Sequence, residues 1–260
     1  MNPTTCRTKR GVSVRVFEGG SGAPLVFLHG AGGLFGRNPF LDALANRYHV
    51  YASEWPGYGE STGEDLLHDM LDFALHGLDV VEALGVRRPH LVGHSMGAMI
   101  AAEMACIAPH DLGKLVLASA AGLWIPEHPI PDLFALLPFE FAPLLFHDPV
   151  TGAAMLTGGF DFSNLEAMRD FYIMNAKQMG VAGKILFPIP NRGLARRLYR
   201  LSAETTLLWG KSDKLIPPVY AEKWKELIPG ARLVLIDDAG HMAPYEQPSA
   251  FVKAVTTFLG

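Results

Sequence analysis

Short apolar or β-branched runs alternate with helix-like segments along most of this 260-residue chain, and this alternation limits the possible folds more than any other feature. The runs occupy residues 12–16, 25–30, 49–53, 90–95, 115–119, 205–210 and 232–237. The first alternates apolar with polar residues and predicts an exposed edge strand. The later runs are continuously apolar, as in strands covered by helices on both faces. The pattern therefore predicts a mostly parallel α/β sheet.

Helical apolar spacing is clearest in three segments between and after the predicted strands. Residues 64–84 carry an apolar face and end at Gly85. Residues 96–108 are apolar almost all round and end before Pro109, which predicts a central, buried helix. Residues 248–259 predict a final amphipathic helix.

The alternation breaks between residues 122 and 200, where prolines cluster and the run LFALLPFEFAPLLF concentrates large apolar side chains. Such a run would be a costly exposed patch unless it packed over the core or a ligand. We therefore expect residues 122–200 to form a helical lid inserted into a core made of residues 1–121 and 201–260. Within it, Ser163 and Glu166 match a capping box for a helix that Gly180 ends, and residues 193–201 predict a second helix.

Composition excludes several classes of partner. A chain with 49% apolar residues can bury a sizeable core, and a formal net charge of −4 offers no basic surface for nucleic acid or an anionic membrane. The first twenty residues hold no apolar run typical of a secretory signal, which predicts a cytoplasmic protein. Cys6 and Cys106 predict neither a disulfide framework nor a metal site.

The segment LVGHSMGAMI combines the end of a predicted strand, a GxSxG pattern and the start of a predicted helix. Gly93 and Gly97 leave room for a sharp turn that would present Ser95 at its apex. A plain turn or helix cap is the structural alternative. The flanking strand and helix favour a nucleophile.

A nucleophilic serine needs a base, and the base needs a partner that fixes its tautomer. His241 is the only histidine after His147, and it follows the last predicted strand. Asp213 follows the preceding strand at the same edge of the sheet. Asp237 and Asp238 remain alternative acids, although their closeness to the histidine in sequence makes their geometry awkward.

These motifs, with HGAGG at 29–33 and WPGYGES at 55–61, resemble the α/β-hydrolase fold family over nearly the whole chain. The resemblance implies a mostly parallel eight-stranded sheet flanked by helices, with a helical lid, and a triad of Ser95, Asp213 and His241. It also implies an oxyanion hole made by the backbone N–H groups of Met96 and Ala31, with Gly32 as an alternative to Ala31.

The same resemblance suggests roles for other polar residues. In the family, the positions of His29 and His94 generally organise loops, and Glu54 stands where an aspartate is usual. Apart from the resemblance, the charge pattern of a group of arginines indicates a solvated helix face, and a carboxylate anchor in the pocket is the alternative. This group consists of Arg192, Arg196, Arg197 and Arg200.

The resemblance implies a cofactor-free serine hydrolase, and the default reaction is hydrolysis of a small hydrophobic carboxylic ester through an acyl-enzyme. Carbon–carbon bond hydrolysis of a ring-cleavage product is the runner-up, although His94 and Met242 stand where such enzymes often have asparagine and tryptophan. Lactonase, perhydrolase and aminopeptidase activities stay open, as does a ligand-binding receptor with a vestigial triad. The expected partner is a small hydrophobic substrate, and the sequence leaves homo-oligomerisation open.

Overall fold

A computed structural model describes residues 1–35, 38–157, 163–187 and 191–260 of the chain. Its centre is an eight-stranded sheet with the order β1-β2-β4-β3-β5-β6-β7-β8. The strands are β1 (Asn2–Arg7), β2 (Ser13–Gly19), β3 (Pro24–Leu28), β4 (His49–Ser53), β5 (His90–His94), β6 (Leu115–Ala118), β7 (Thr205–Gly210) and β8 (Arg232–Ile236). The pairs β1/β2 and β2/β4 are antiparallel, and all later pairs are parallel.

Helices lie between and after the strands in chain order. They are α1 (Pro39–Leu44), α2 (Met70–Ala83), α3 (Met96–Ile107), α4 (Pro138–Leu145), α5 (Pro149–Thr157), α6 (Leu165–Leu186), α7 (Val219–Leu227), α8 (Ala243–Glu246) and α9 (Pro248–Leu259). The predicted α/β architecture is confirmed. Among the described residues, no helix has both the length and the apolar character needed to cross a bilayer.

The two edges of the sheet differ from the prediction. The first strand, β1, was missed because its sequence NPTTCR has no apolar run, and most of its residues are exposed. It nevertheless pairs with β2, so β2 is an interior strand. The alternating pattern of β2 reflects burial on one face, where Val14 and Val16 are fully buried. At the other edge, β8 is apolar in sequence yet exposed at Val234 and Leu235.

The central helix α3 follows the prediction closely. Its described side chains are buried from Met96 to Cys106, because it packs against β5 and α2 at the middle of the sheet. The predicted helix at 64–84 is interrupted by a 3₁₀ turn at Glu64–Leu66, and α2 begins only after Asp69. The carboxylate of Asp69 caps α2 by accepting the amides of Leu71 and Asp72.

Helix α6 differs from the prediction at both ends. Its cap is Asn164, whose side chain accepts the amides of Glu166 and Ala167. The helix also continues past Gly180, because its last turns bury Val181 and Ile185, and this burial outweighs the roughly 1 kcal/mol that glycine costs a helix. The predicted helix at 193–201 consists of two 3₁₀ turns, Leu194–Arg196 and Leu198–Arg200.

Helices α4, α5 and α6 all lie in sequence between β6 and β7. They occupy the region for which a lid was predicted. Residues 158–162 and 188–190 of that region lie outside the described residues. The boundaries of the lid, and its role as a lid, stay predictions.

Candidate active site

The turn between β5 and α3 places Ser95 at a strained position. Its backbone has φ 54° and ψ −114°, a conformation that non-glycine residues rarely adopt. The turn is held on both sides: the Ser95 amide donates to Ala118 O at 2.8 Å, and the Ser95 carbonyl accepts the amides of Ala98 and Met99. Strain maintained by surrounding hydrogen bonds is typical of a functional site.

The two glycines of the GxSxG pattern are required by close backbone approach. A Cβ on Gly93 would lie 2.5 Å from Ala98 Cα. A Cβ on Gly97 would overlap the carbonyl oxygen of Leu28, at the end of the neighbouring strand β3. The pattern is therefore explained sterically, since the turn is sharp and packs directly on the sheet.

The three residues predicted as a triad lie together at the carboxyl edge of the sheet. His241 Nδ1 is 2.9 Å from Asp213 Oδ2, and both residues are 3% exposed. The other carboxylate oxygen of Asp213 accepts the amides of Leu215 at 3.1 Å and Ile216 at 2.8 Å. Ser95 and His241 line one cavity. The geometry brings these side chains together, and their catalytic role stays a prediction.

The alternative acids do not meet the histidine ring. The Asp237 side chain is 75% exposed and pairs with Lys211. The Asp238 side chain is 77% exposed and lies 3.8 Å from His147. Of the three candidate carboxylates, Asp213 is the one hydrogen-bonded to His241.

The predicted oxyanion donors flank the serine. Met96 is the first residue of α3, where backbone N–H groups have no acceptor within the helix. Ala31 lines the same cavity as Ser95, as does Gly32. The Tyr58 hydroxyl lies 2.9 Å from Ala31 O and 3.1 Å from the carbonyl oxygen of Gln178 in α6, so one side chain contacts both the Ala31 loop and α6. Tyr58 was not singled out from the sequence.

Two buried histidines organise the loops around the site. His94 Nε2–H donates to the carbonyl oxygen of His241 at 2.8 Å, which joins the serine turn to the histidine loop. Burial lowers the pKa of His94 to about 3, with a further lowering by the neighbouring His241 ring. His29 Nε2 accepts the amide of Trp55 at 3.1 Å, and burial lowers the pKa of His29 to about 4. Both rings are neutral near pH 7.

A carboxylate beyond the predicted set also supports the histidine loop. Glu246 Oε2 accepts the amide of Gly240 at 2.7 Å, and Oε1 accepts the amide of His147, between α4 and α5, at 2.7 Å. Burial raises the pKa of Glu246 above its ordinary value. Sequence could not identify it, because its partners are backbone groups whose placement depends on the fold.

The predicted arginine face is solvated in part: Arg196 and Arg200 are exposed, whereas Arg192 and Arg197 are half-buried. Arg197 Nε donates to Glu103 at 2.8 Å, and Glu103 is a 3% exposed residue of α3. Arg200 Nε donates to the carbonyl oxygen of Cys106 at 2.7 Å. These side chains join the segment after α6 to the central helix. Arg192 lines the small cavity at Ser95, and its role as a carboxylate anchor stays a prediction.

Two cavities meet at Ser95. The large cavity, of about 880 Å³, is lined by residues 30–35, by His94 and His241 and by side chains of α4, α5 and α6. The small cavity, of about 50 Å³, lies on the side of Met99 and Gly122. Ser95, Leu133 and Leu215 line both. No group of three or more side chains suited to a metal ion occurs among the described residues.

Comparison with known proteins agrees with this architecture. The alpha/beta hydrolase family matches residues 25–254. A 2-hydroxy-6-oxononadienedioate/2-hydroxy-6-oxononatrienedioate hydrolase of Paraburkholderia phymatum is 30% identical, over 96% of this chain and 92% of the relative. Another relative, a 2-hydroxy-6-oxo-6-phenylhexa-2,4-dienoate hydrolase of Comamonas testosteroni, is 28% identical over 93% of this chain and 89% of the relative's own sequence.

A solved structure of a membrane phospholipase A, described as a bacterial virulence factor, superposes with a TM-score of 0.83 at 24% identity. The superposition covers 99% of this chain and 85% of the phospholipase chain. At this sequence identity the likeness shows the fold alone. The family match extends from β3 into α9 and includes the serine turn, the aspartate and the histidine loop. The chain belongs to the α/β hydrolase family.

Proposed function

We propose that the protein is a carboxylesterase that works through an acyl-enzyme on Ser95. The observation that carries the proposal is the arrangement at the carboxyl edge of the sheet: a strained serine shares a cavity with His241, whose ring is held by the buried Asp213. Asp213 accepts the Nδ1–H of His241, which leaves Nε2 free of a proton and able to act as the base.

The reaction follows from these positions. His241 Nε2 takes the proton of Ser95 as the serine oxygen attacks the ester carbonyl carbon. The bond to the alcohol oxygen then breaks, and the same proton passes to that oxygen. Water attacks the acyl-enzyme with His241 again as base, which releases the acid and restores the serine. The amides of Met96 and Ala31 are the donors for the negative charge that develops on the carbonyl oxygen.

The lining of the large cavity favours a neutral, apolar substrate. Helices α4 and α6 contribute Phe139, Phe141, Phe171 and Met174 to it, among other apolar side chains. Within the described part of the chain, no lysine, arginine, aspartate or glutamate lines this cavity. A hydrophobic alcohol or acyl group would therefore bind there without a charged partner. In this proposal α4 to α6 act as the lid.

Hydrolysis of a carbon–carbon bond is the second candidate, favoured by the names of the relatives. Those names describe dienoic acids and dioates, which carry carboxylates. In this chain Arg192 is the one described cationic side chain lining either cavity, and it lies at the small one. The small cavity, at about 50 Å³ against about 880 Å³ for the large one, offers little room for a dienoate beside Arg192, and this supports ester hydrolysis over the second candidate.

The test compares p-nitrophenyl esters of increasing acyl length with a dienoic ring-cleavage product. We expect turnover of at least one ester and little or none of the dienoic acid, and a Ser95→Ala variant that loses on the order of 10⁶ in kcat. A fluorophosphonate should label Ser95 in the wild-type protein. Turnover of the dienoic acid alone would support the second candidate. Absence of both labelling and turnover would support a ligand-binding protein with a vestigial triad.

A further inference from the structure

The position of His241 relative to the two cavities distinguishes the two ends of an ester. His241 lines the large cavity, together with the loop that carries Ala31. Among the described residues that line the small cavity, neither His241 nor any residue of the loop 30–35 occurs. Ser95 opens onto both. An ester carbonyl held at Ser95 therefore has its oxygen and one substituent on the His241 side, and the small cavity remains for the other substituent.

Chemistry decides which substituent lies on which side. When the bond to the alcohol oxygen breaks, His241 must give its proton to that oxygen, so the leaving oxygen must be within hydrogen-bond reach of the ring. The oxyanion points to the amides of Ala31 and Met96. The alcohol therefore extends into the large cavity, and the acyl chain extends into the small one.

The volumes then set the permitted size of each group. The small cavity, at about 50 Å³, leaves room for a short acyl group only. The large cavity, at about 880 Å³, holds a far bulkier group. The walls of the small cavity resist expansion: Met99, Ile185 and Leu215 are each at most 2% exposed, and they belong to α3, α6 and the segment after β7.

We propose that the protein hydrolyses esters in which a short acyl group is joined to a bulky apolar alcohol. The acyl group occupies the small cavity beside Met99, and the alcohol occupies the large cavity under α4, α5 and α6. This inference rests on the proposed carboxylesterase function and names its substrate class.

Two isomeric esters test the assignment directly. Octyl acetate and ethyl octanoate contain the same atoms, carry unactivated alkoxide leaving groups and differ in which side of the carbonyl bears the long chain. We expect kcat/KM for octyl acetate to exceed that for ethyl octanoate by at least about tenfold, since crowding by single methylene groups already produces differences of this size. An equal rate, or faster hydrolysis of ethyl octanoate, would overturn the assignment.

Variants connect the preference to the cavities. Met99→Ala should enlarge the small cavity and raise kcat/KM for ethyl octanoate relative to octyl acetate by about tenfold or more. Ile130→Ala, in a half-buried loop position on the same cavity, serves if Met99→Ala does not fold. The matched control is Met174→Ala in the large cavity, which should alter the preferred alcohol without extending the permitted acyl chain. If the control relaxes acyl length and both small-cavity variants do not, the acyl group lies in the large cavity.

The result also separates this inference from the proposed function. Hydrolysis of esters with ethyl octanoate preferred would retain the carboxylesterase and reverse its orientation. Failure to hydrolyse any ester, with the dienoic acid turned over, would reject the carboxylesterase itself.

Discussion

The hydrogen bonds of Asp213 make its amide variant a sharp test of the triad. Oδ1 accepts two backbone amides, from Leu215 and Ile216, and Oδ2 faces His241 Nδ1. An asparagine has one acceptor oxygen, and the two fixed amides direct it to the Oδ1 position. The NH₂ group then points at Nδ1 and donates to it. The imidazole proton moves to Nε2, where the ring can no longer accept the serine proton.

The expected size of the effect follows from this exchange. Asp213→Asn should lower kcat by roughly 10⁴, as expected for a triad histidine held in the wrong tautomer. Every hydrogen bond around the side chain is retained in number, so the free energy of unfolding should change by no more than about 1 kcal/mol. The variant should therefore separate activity from stability.

The assay measures kcat for steady-state hydrolysis of p-nitrophenyl acetate, beside urea denaturation of the same preparations. Asp238→Asn is the matched control, because its side chain is 77% exposed and lies close to the histidine loop. The control should retain activity within a few-fold. The reasoning is refuted if Asp213→Asn keeps activity within about tenfold of wild type, and more strongly if Asp238→Asn is the inactive protein.

Three further predictions concern stability and positioning. Burial lowers the pKa of His76 from its ordinary 6.5 to about 4. Between these two pH values the unfolded chain binds more protons than the folded protein. The stability that comes from the neutral His76 is therefore complete above pH 6.5 and declines as the pH falls towards 4. In urea titrations, the stability lost between pH 7.5 and 5.0 should be about 2 kcal/mol smaller in His76→Leu than in wild type, because the buried His29 and His94 contribute to the loss in both proteins. Glu246→Gln replaces one carboxylate oxygen by an NH₂ group, so the amide of Gly240 or that of His147 loses its acceptor. Because this loosens the histidine loop, kcat should fall by about ten- to a hundredfold. An unchanged kcat with a lowered Tm would mean a purely structural role. Gly180→Ala should raise stability by about 0.5–1 kcal/mol in a thermal melt, since nothing lies within 4 Å of the added methyl in α6, and a lower Tm would contradict this.

Sequence by itself determined the features that depend on local chemistry and chain order. Apolar runs and helical spacing predicted the parallel part of the sheet and α3, because a strand or helix buried at the centre must be apolar. The strand, GxSxG and helix around Ser95 predicted the turn, since only glycine fits the close contacts at residues 93 and 97. The order of Ser95, Asp213 and His241 placed each after a strand, at the same edge of a parallel sheet.

Tertiary structure decided whatever depends on groups distant in the chain. The polar strand β1 forms because β2 supplies its hydrogen-bonding partners, and no local signal announces that. Helix α6 continues past Gly180 because its last turns are buried against other elements. The half-buried Arg197 side chain pairs with Glu103 of α3, a partner that is distant in sequence. The two cavities at Ser95, and the placement of His241 at only one of them among the described residues, follow from packing between α3, α6 and the strand ends, which residue order alone does not specify.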